Sequence, residues 1–162
     1  MLTEAQTWQV LQQVPDPELP VVSVCELGIV REVHVAMAGV TVVITPTYSG
    51  CPATQVIEAA IRTALQDAGA ASVSVETRLS PAWTSDWLTP EAHAKLRAYG
   101  VAPPQPAANH SAQALHFAPP APCCPRCGAR NTARLSEFGS TACKALYRCA
   151  QCREPFEYFK PI

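Results

Sequence analysis

Residues 40–45 read Val40-Thr-Val-Val-Ile-Thr45, and all six side chains are branched at Cβ. Such a run predicts a buried β-strand, because branched side chains lose rotamer freedom in a helix and pack well on a pleated surface. Residues 54–68 follow after a short loop, with apolar side chains at spacings of three and four that predict a helix ended by Gly69. A buried strand that leads into an amphipathic helix favours an α/β fold.

The flanking segments extend this pattern to the order α-β-β-α-β-α. The alternation in 29–37 puts Ile29, Arg31, Val33 and Val35 on one face of a strand. The other predicted elements are a helix after the Thr3–Gln6 capping box that Pro15 ends, a third strand at Val73–Leu79, and a helix from Thr89-Pro90-Glu91 to Gly100. We therefore expect a small two-layer α/β (α+β) domain over residues 1–101.

A change in composition predicts where this domain ends. Residues 102–122 contain six prolines and seven alanines but no Lys, Arg, Asp or Glu. Prolines at both ends of the stretch prevent one long helix and favour extended backbone. We interpret residues 102–122 as a linker between the first domain and a module over residues 123–162.

The C-terminal module contains two Cys-x-x-Cys pairs, Cys124/Cys127 and Cys149/Cys152, with 21 residues between them. Two such pairs close a tetrahedral four-sulfur site, and the intervening length fits a β-hairpin. About 40 residues bury too little apolar surface to fold on a hydrophobic core alone, so a metal should supply much of the folding energy. The spacing predicts a zinc-ribbon-like β module, with rubredoxin-like iron as the alternative ion.

Charge and the chain's first residues limit the function classes. The net charge is −1 and the pI is near 6.4, which disfavours a general nucleic-acid binder. The opening residues lack the features of a secretory signal, and no apolar run reaches ~18 residues, so we expect a cytoplasmic protein without membrane partners. Residues 1–122 have a net charge of −5 and residues 123–162 one of +4. This asymmetry is either incidental or marks a basic module that contacts an acidic partner.

Cys51 is the candidate reactive thiol of the first domain. It lies in Thr45-Pro-Thr-Tyr-Ser-Gly-Cys51-Pro52, at or near the predicted N-cap of the second helix with Pro52 at N1. The helix dipole and free amide N–H groups favour a thiolate there, which can bind a soft metal or exchange with other thiols. A small, inert, buried cysteine is the alternative. Cys25 has no such local feature and is interpreted as a packed core thiol.

These motifs resemble a known family. Asp16-Pro-Glu18, Leu27-Gly28, Thr45 through Ala53, and Pro81-Ala-Trp-Thr84 are similar to the small domain of iron–sulfur carrier and targeting factors. Residues 45–54, 137–149 and 152–156 resemble the D proteins of the 1,2-phenylacetyl-CoA epoxidase system of aerobic phenylacetate degradation. The resemblance covers both modules.

The resemblance implies a function and a set of site residues. In that family the protein is an accessory to a di-iron epoxidase and a reductase that carries flavin and a [2Fe–2S] cluster. Cys51 matches the family's reactive cysteine, Asp16 and Glu18 match its acidic turn, and Thr45 opens the motif that contains Cys51. Cys124, Cys127, Cys149 and Cys152 match the zinc ligands.

Two functional hypotheses follow. In the first, the chain is a non-catalytic maturation factor whose Cys51 transiently holds iron or an iron–sulfur cluster, with a second thiol from a partner or another copy of the chain. The partners would be the reductase or the di-iron subunit. In the second, the chain is a structural adaptor of the epoxidase and Cys51 is inert. The chain has no Glu-x-x-His pair for a di-iron site and no dinucleotide-binding glycine motif, so a catalytic oxygenase subunit is not expected.

Overall fold

A computed structural model of the chain describes residues 2–105 and 121–162. It divides the chain into two compact units, Met1–Ala92 and His93–Ile162. The fold is mixed α/β, as the sequence predicted, with three helices and two small sheets among the described residues. Within those same ranges, no helix is both long and apolar enough to cross a bilayer.

The first unit contains two antiparallel strands followed by a parallel crossover. Its elements are α1 (Glu4–Leu11), β1 (Val30–Ala36), β2 (Gly39–Ile44), α2 (Ala53–Asp67), β3 (Val73–Thr77), a 3-10 turn (Ser85–Trp87) and the start of α3 (Pro90–Tyr99). The sheet order is β1-β2-β3, with β1 antiparallel and β3 parallel to β2. The capping box at α1 is confirmed, since Thr3 and Gln6 exchange backbone-to-side-chain hydrogen bonds.

The core of this unit lies between the sheet and its helices. Val42 of β2 is fully buried, and α2 buries a stripe at intervals of four residues. That stripe consists of Ala53, Ile57, Ile61 and Leu65. Helix α1 contacts α2 and β1, and α2 contacts β3, so helices and sheet form the two expected layers.

The predicted face of β1 is wrong in one respect. The pairing with β2 shifts register between Val30 and Glu32, so Arg31 is an extra, bulged residue. Ile29 and Val30 are both buried, and the alternation resumes with buried Val33. Arg31 leaves the apolar face and places its guanidinium 3.5 Å from the ring centroid of Trp87.

The second unit is built on a four-stranded sheet. Its strands are β4 (Val101–Ala102), β5 (Thr132–Ser136), β6 (Lys144–Cys149) and β7 (Pro155–Phe159), in the order β4-β7-β6-β5. The hairpins predicted from the cysteine spacing are present, as β5–β6 and β6–β7 pair antiparallel. The apolar core is small, and consists of Ala102, Cys124, Cys149, Phe156 and Tyr158.

The division of the chain differs in position from the predicted linker. Val101 and Ala102 pair in parallel with Glu157 and Tyr158, so the strand partner of β7 comes from the start of the predicted linker. Most of that segment, residues 106–120, lies outside the described residues. The domain boundaries 1–101, 102–122 and 123–162 therefore stay a prediction.

Gly28 has a backbone requirement that can be tested. Its φ is +68°, and a Cβ built there would lie 2.7 Å from the Cβ and 2.8 Å from the carbonyl oxygen of Trp87. Gly69 has a φ of +98° with nothing within 4 Å of the built Cβ. We expect Gly28→Ala to lower the free energy of unfolding by about 3 kcal/mol, and Gly69→Ala by about 1 kcal/mol, because only the first adds a clash to the left-handed backbone.

The measurement is urea unfolding followed by tryptophan fluorescence, since all three tryptophans lie in the first unit. Gly69→Ala is the matched control for the backbone conformation alone. Equal losses in the two variants would contradict the close approach of Trp87.

Candidate functional site

The loop of residues 45–52 lies where the parallel strands of the first unit end. Strands β2 and β3 run in the same direction, so their carboxyl ends share one edge of the sheet, and α2 begins at that edge. Thr45 is 2% exposed and its N–H donates to the carbonyl oxygen of Ile29 at 2.8 Å. The N–H of Arg78, just after β3, donates to the carbonyl oxygen of Ile44 at 2.8 Å. The base of the loop is thus fixed by backbone hydrogen bonds.

Cys51 lies at the end of this loop and is half-buried. Its N–H donates to the Tyr48 carbonyl oxygen at 3.2 Å, and its own carbonyl oxygen accepts from the N–H of Thr54 at 3.2 Å. Helix α2 starts at Ala53 and Pro52 is its N-cap, without a side-chain capping bond. The prediction of Pro52 at N1 is thus displaced by one residue, and Cys51 immediately precedes the N-cap. The reason is that Pro52 already has helical φ and ψ angles but has no N–H to give.

Cys25 is the other thiol of the first unit and differs from Cys51 in its electrostatics. Burial and the neighbouring Glu26 carboxylate raise the pKa of Cys25 to about 12. Cys25 therefore stays a neutral thiol at physiological pH, as expected of a packed cysteine.

Asp16 and Glu18 form the predicted turn but differ in their surroundings. Asp16 is 6% exposed, and its carboxylate accepts hydrogen bonds from the N–H groups of Glu18 and Leu19, each at 2.9 Å. Glu18 is exposed. The Asp16 carboxylate thus shapes the turn. Across the described part of the chain, these two residues and Cys51 do not form a cluster of three groups close enough to share a metal.

The cysteines of the ribbon do form such a cluster. The sulfur atoms of Cys124, Cys127, Cys149 and Cys152 all lie within 4.8 Å of one another. The Cys124 and Cys152 sulfurs are 3.7 Å apart, and those of Cys127 and Cys149 are 3.5 Å apart. A tetrahedral ion with ~2.3 Å bonds to sulfur separates its ligands by ~3.8 Å, so the four thiols fit one such ion.

The two Cys-x-x-Cys turns have the same backbone geometry. The N–H of Cys124 donates to the carbonyl oxygen of Ala129 five residues on, and the N–H of Cys149 donates to that of Glu154 at the same offset. The residue after each second cysteine has a positive φ, +75° at Gly128 and +63° at Arg153. Each turn therefore directs its two sulfurs to the same point.

Backbone donors also adjust the charge of the centre. The N–H of Cys152 points at the Cys149 sulfur and lowers the pKa of Cys149 to about 7. The N–H of Glu154 lowers the pKa of Cys152, but burial and the neighbouring thiols outweigh it and raise that pKa to about 12. A divalent ion favours the thiolate form of all four ligands and releases their protons.

The two remaining cysteines of the ribbon lie outside this cluster. Cys123 is exposed, beside Cys124 in sequence. Cys143 is buried, with its sulfur 3.1 Å from the Thr141 hydroxyl, which agrees with a packed hairpin residue. The neighbouring Lys144 ammonium is 3% exposed and pairs with the Glu157 carboxylate at 2.8 Å, which fixes the loop before β6 to β7.

Sequence reasoning missed a second feature of the ribbon, a groove that contains Arg148 and Arg153. The sequence showed the excess of positive charge but not where it gathers. Only the turn between β6 and β7 brings these two arginines together, and the pairing partner of Arg148 in β5 depends on a bulge between Arg134 and Ser136.

Comparison with known proteins gives matches over both units. A family model described as iron–sulfur cluster assembly protein matches residues 4–77, and one described as PaaD zinc beta ribbon domain matches residues 108–160. The chain is 54% identical, over 96% of its length and 91% of the relative's, to the D protein of 1,2-phenylacetyl-CoA epoxidase from Escherichia coli strain K12. It is 34% identical to an Fe-S protein maturation auxiliary factor of Porphyromonas gingivalis, over 58% of this chain and 90% of that one.

Two solved structures resemble part of the chain. One is a domain of unknown function, DUF59, from Bacillus anthracis, with a TM-score of 0.53 and 25% identity over 57% of this chain and 90% of that one. The other is a conserved hypothetical protein from Thermotoga maritima, with a TM-score of 0.51 and 29% identity over 59% and 94%.

The fold, the four-cysteine centre and the near full-length identity agree, and the chain belongs to the family of 1,2-phenylacetyl-CoA epoxidase D proteins.

Proposed function

We propose that the chain is an accessory factor of the phenylacetyl-CoA epoxidase system that assists iron–sulfur or iron centre assembly through Cys51. Kinship with the epoxidase D protein and with an Fe-S protein maturation factor supports an accessory role in iron–sulfur assembly. The observation that carries the finer proposal is the position of Cys51, a half-buried thiol that immediately precedes the N-cap of α2.

The cargo would be held by a thiolate that can also release it. A half-buried sulfur is reachable by a second protein, whereas the raised pKa of Cys25 removes that thiol from competition. One cysteine cannot complete the ligation of a cluster, which takes about four protein ligands, so the others come from a partner or a second copy of the chain. The reductase, with its [2Fe–2S] cluster, and the di-iron subunit are the recipients that the family resemblance implies.

Transfer is then a ligand exchange without a change of oxidation state. The bond from Cys51 sulfur to iron breaks as a thiolate of the recipient forms its own bond to the same iron. The proton that the recipient's thiol loses passes to Cys51 or to solvent. The fixed base of the loop, Thr45 to Ile29, holds the thiol in place throughout.

In the ribbon we propose a structural zinc ion on Cys124, Cys127, Cys149 and Cys152. The sulfur separations fit a closed tetrahedral site, and a site with four cysteine ligands leaves no open position for substrate. The ion would supply folding energy to a unit whose apolar core is five residues.

Cys51→Ser is expected to reduce cluster delivery at least tenfold, because a hydroxyl is a poor ligand for iron at neutral pH. The measurement is transfer of a reconstituted cluster to the apo reductase under anaerobic conditions, together with the iron content of the reductase isolated from cells. Cys25→Ser is the matched control and should leave both values unchanged.

Alkylation at pH 8 provides a second readout. Cys51 should react with iodoacetamide, whereas Cys25 stays unreactive because its pKa is raised to about 12. Full cluster delivery by Cys51→Ser would rule out the carrier role and favour the adaptor alternative.

The zinc proposal is tested by metal analysis of the purified full chain. Wild type should contain about one equivalent of zinc, and Cys149→Ser should lose most of it, because the remaining three ligands leave the site open. Cys123→Ser, beside the cluster in sequence but not part of it, should keep the full equivalent. An equivalent of iron in place of zinc, or retention of zinc by Cys149→Ser, would contradict the assignment.

A further inference from the structure

The ribbon has a groove on the outer part of its sheet, with a volume of about 420 Å³. Its walls come from β5, from the end of β6 and from the turn that follows. The residues that line it are Ala133, Leu135, Arg148, Cys149, Ala150 and Arg153. Because β5 is the last strand of the sheet, its far side is not occupied by another strand of this sheet. An extended segment longer than the groove can therefore enter it.

Charge in the ribbon is unevenly paired. Among the described residues, three of its basic side chains form ion pairs with carboxylates, namely Arg134, Lys144 and Lys160. The other four form no such pair there: Arg126, Arg130, Arg148 and Arg153. Two of these four, Arg148 and Arg153, line the groove.

Local backbone geometry brings the two groove arginines together. The Nε of Arg148 donates to the carbonyl oxygen of Arg153 at 3.2 Å. Arg153 has a φ of +63° in the turn after the second cysteine pair. Ala133 is directly opposite Arg148 in the β5–β6 pairing, and Leu135 is 55% exposed. The groove thus combines two guanidinium groups with a small apolar surface.

We propose that this groove binds an acidic segment of a protein partner, with carboxylates on Arg148 and Arg153 and an apolar side chain against Leu135 and Ala133. Guanidinium groups bind carboxylates through paired N–H donors, and the apolar surface selects for a neighbouring hydrophobic residue. The net charge of +4 over residues 123–162 favours approach of an acidic protein surface. This inference goes beyond the carrier role, and it holds or fails whether or not Cys51 carries iron.

The probe is an array of synthetic hexapeptides, each with three Asp or Glu residues around one central Leu, Phe or Met. A second array replaces every acid with its amide. The zinc-loaded full chain should bind the acidic array and not the amide array. The tightest acidic peptide is then labelled with fluorescein, and its Kd is measured by fluorescence anisotropy.

The test variant is Arg148→Gln with Arg153→Gly, where glycine suits the positive φ and removes only the side chain. We expect its Kd to rise about tenfold through the loss of two exposed charge pairs. Arg126→Gln with Arg130→Gln removes the same charge from elsewhere on the ribbon, and its Kd should change less than twofold. Leu135→Ser should weaken binding severalfold, whereas Phe138→Ser, at another exposed apolar residue, should not.

Three outcomes would overturn the proposal. The first is that the acidic peptides bind no better than the amides. The second is that the groove variant and its control lose affinity equally, which would indicate charge attraction without a site. The third is that a 12-nucleotide single strand displaces the peptide at lower concentration, which would indicate nucleic acid as the ligand. Zinc content, measured for each variant, shows that a weaker binder is still folded.

Discussion

The parallel pairing of β2 and β3 is the constraint on which the first unit depends. Two neighbouring parallel strands cannot be joined by a tight turn, so the chain must cross back over the sheet, and α2 is that crossover. The exit from β2 and the start of α2 therefore lie at the same end of the sheet. Strand β1 runs antiparallel and begins at this end, which allows Ile29 to accept the hydrogen bond from Thr45. The position of the Cys51 loop is thus a result of topology.

The eight cysteines differ in chemistry because their surroundings differ. Burial and an adjacent carboxylate keep Cys25 protonated, while Cys51 is partly accessible ahead of a helix N-terminus. Four thiols of the ribbon converge within 4.8 Å, where backbone N–H groups stabilise negative charge on sulfur. Cys143 has a hydroxyl neighbour and is buried. Composition alone shows an excess of cysteine, and only the contacts of each sulfur separate the metal ligands from the rest.

Elements with strong local signals could be predicted from the sequence. The β-branched run of residues 40–45, the Thr3–Gln6 capping box and the paired cysteines each specify structure through neighbours a few residues away. The second Cys-x-x-Cys pair also implied the hairpins between the ligands, because the sulfurs can meet only if the chain returns.

Features that depend on distant residues could not be predicted. The bulge at Arg31 depends on the register with β2, and the alternation of β1 contains no sign of it. The pairing of Val101 and Ala102 with β7 joins residues more than fifty positions apart, so nothing near residue 101 indicates a strand. For the same reason the charge of the ribbon could be counted in advance but its groove could not be located, since the two arginines meet only after β6 and β7 have paired.

The groove and the four-cysteine centre share a wall, which links recognition to the metal. Cys149 is fully buried and lies among the groove residues, with Arg148 before it in β6 and Arg153 in the turn that follows. That turn has its shape because Cys149 and Cys152 converge with the other pair, and the five-residue core offers little else to hold it. Removal of the ion would release the turn and separate the two arginines. An acidic partner would therefore distinguish the metal-loaded ribbon from the empty one, and docking would take place only on a chain whose second unit is already folded around its ion.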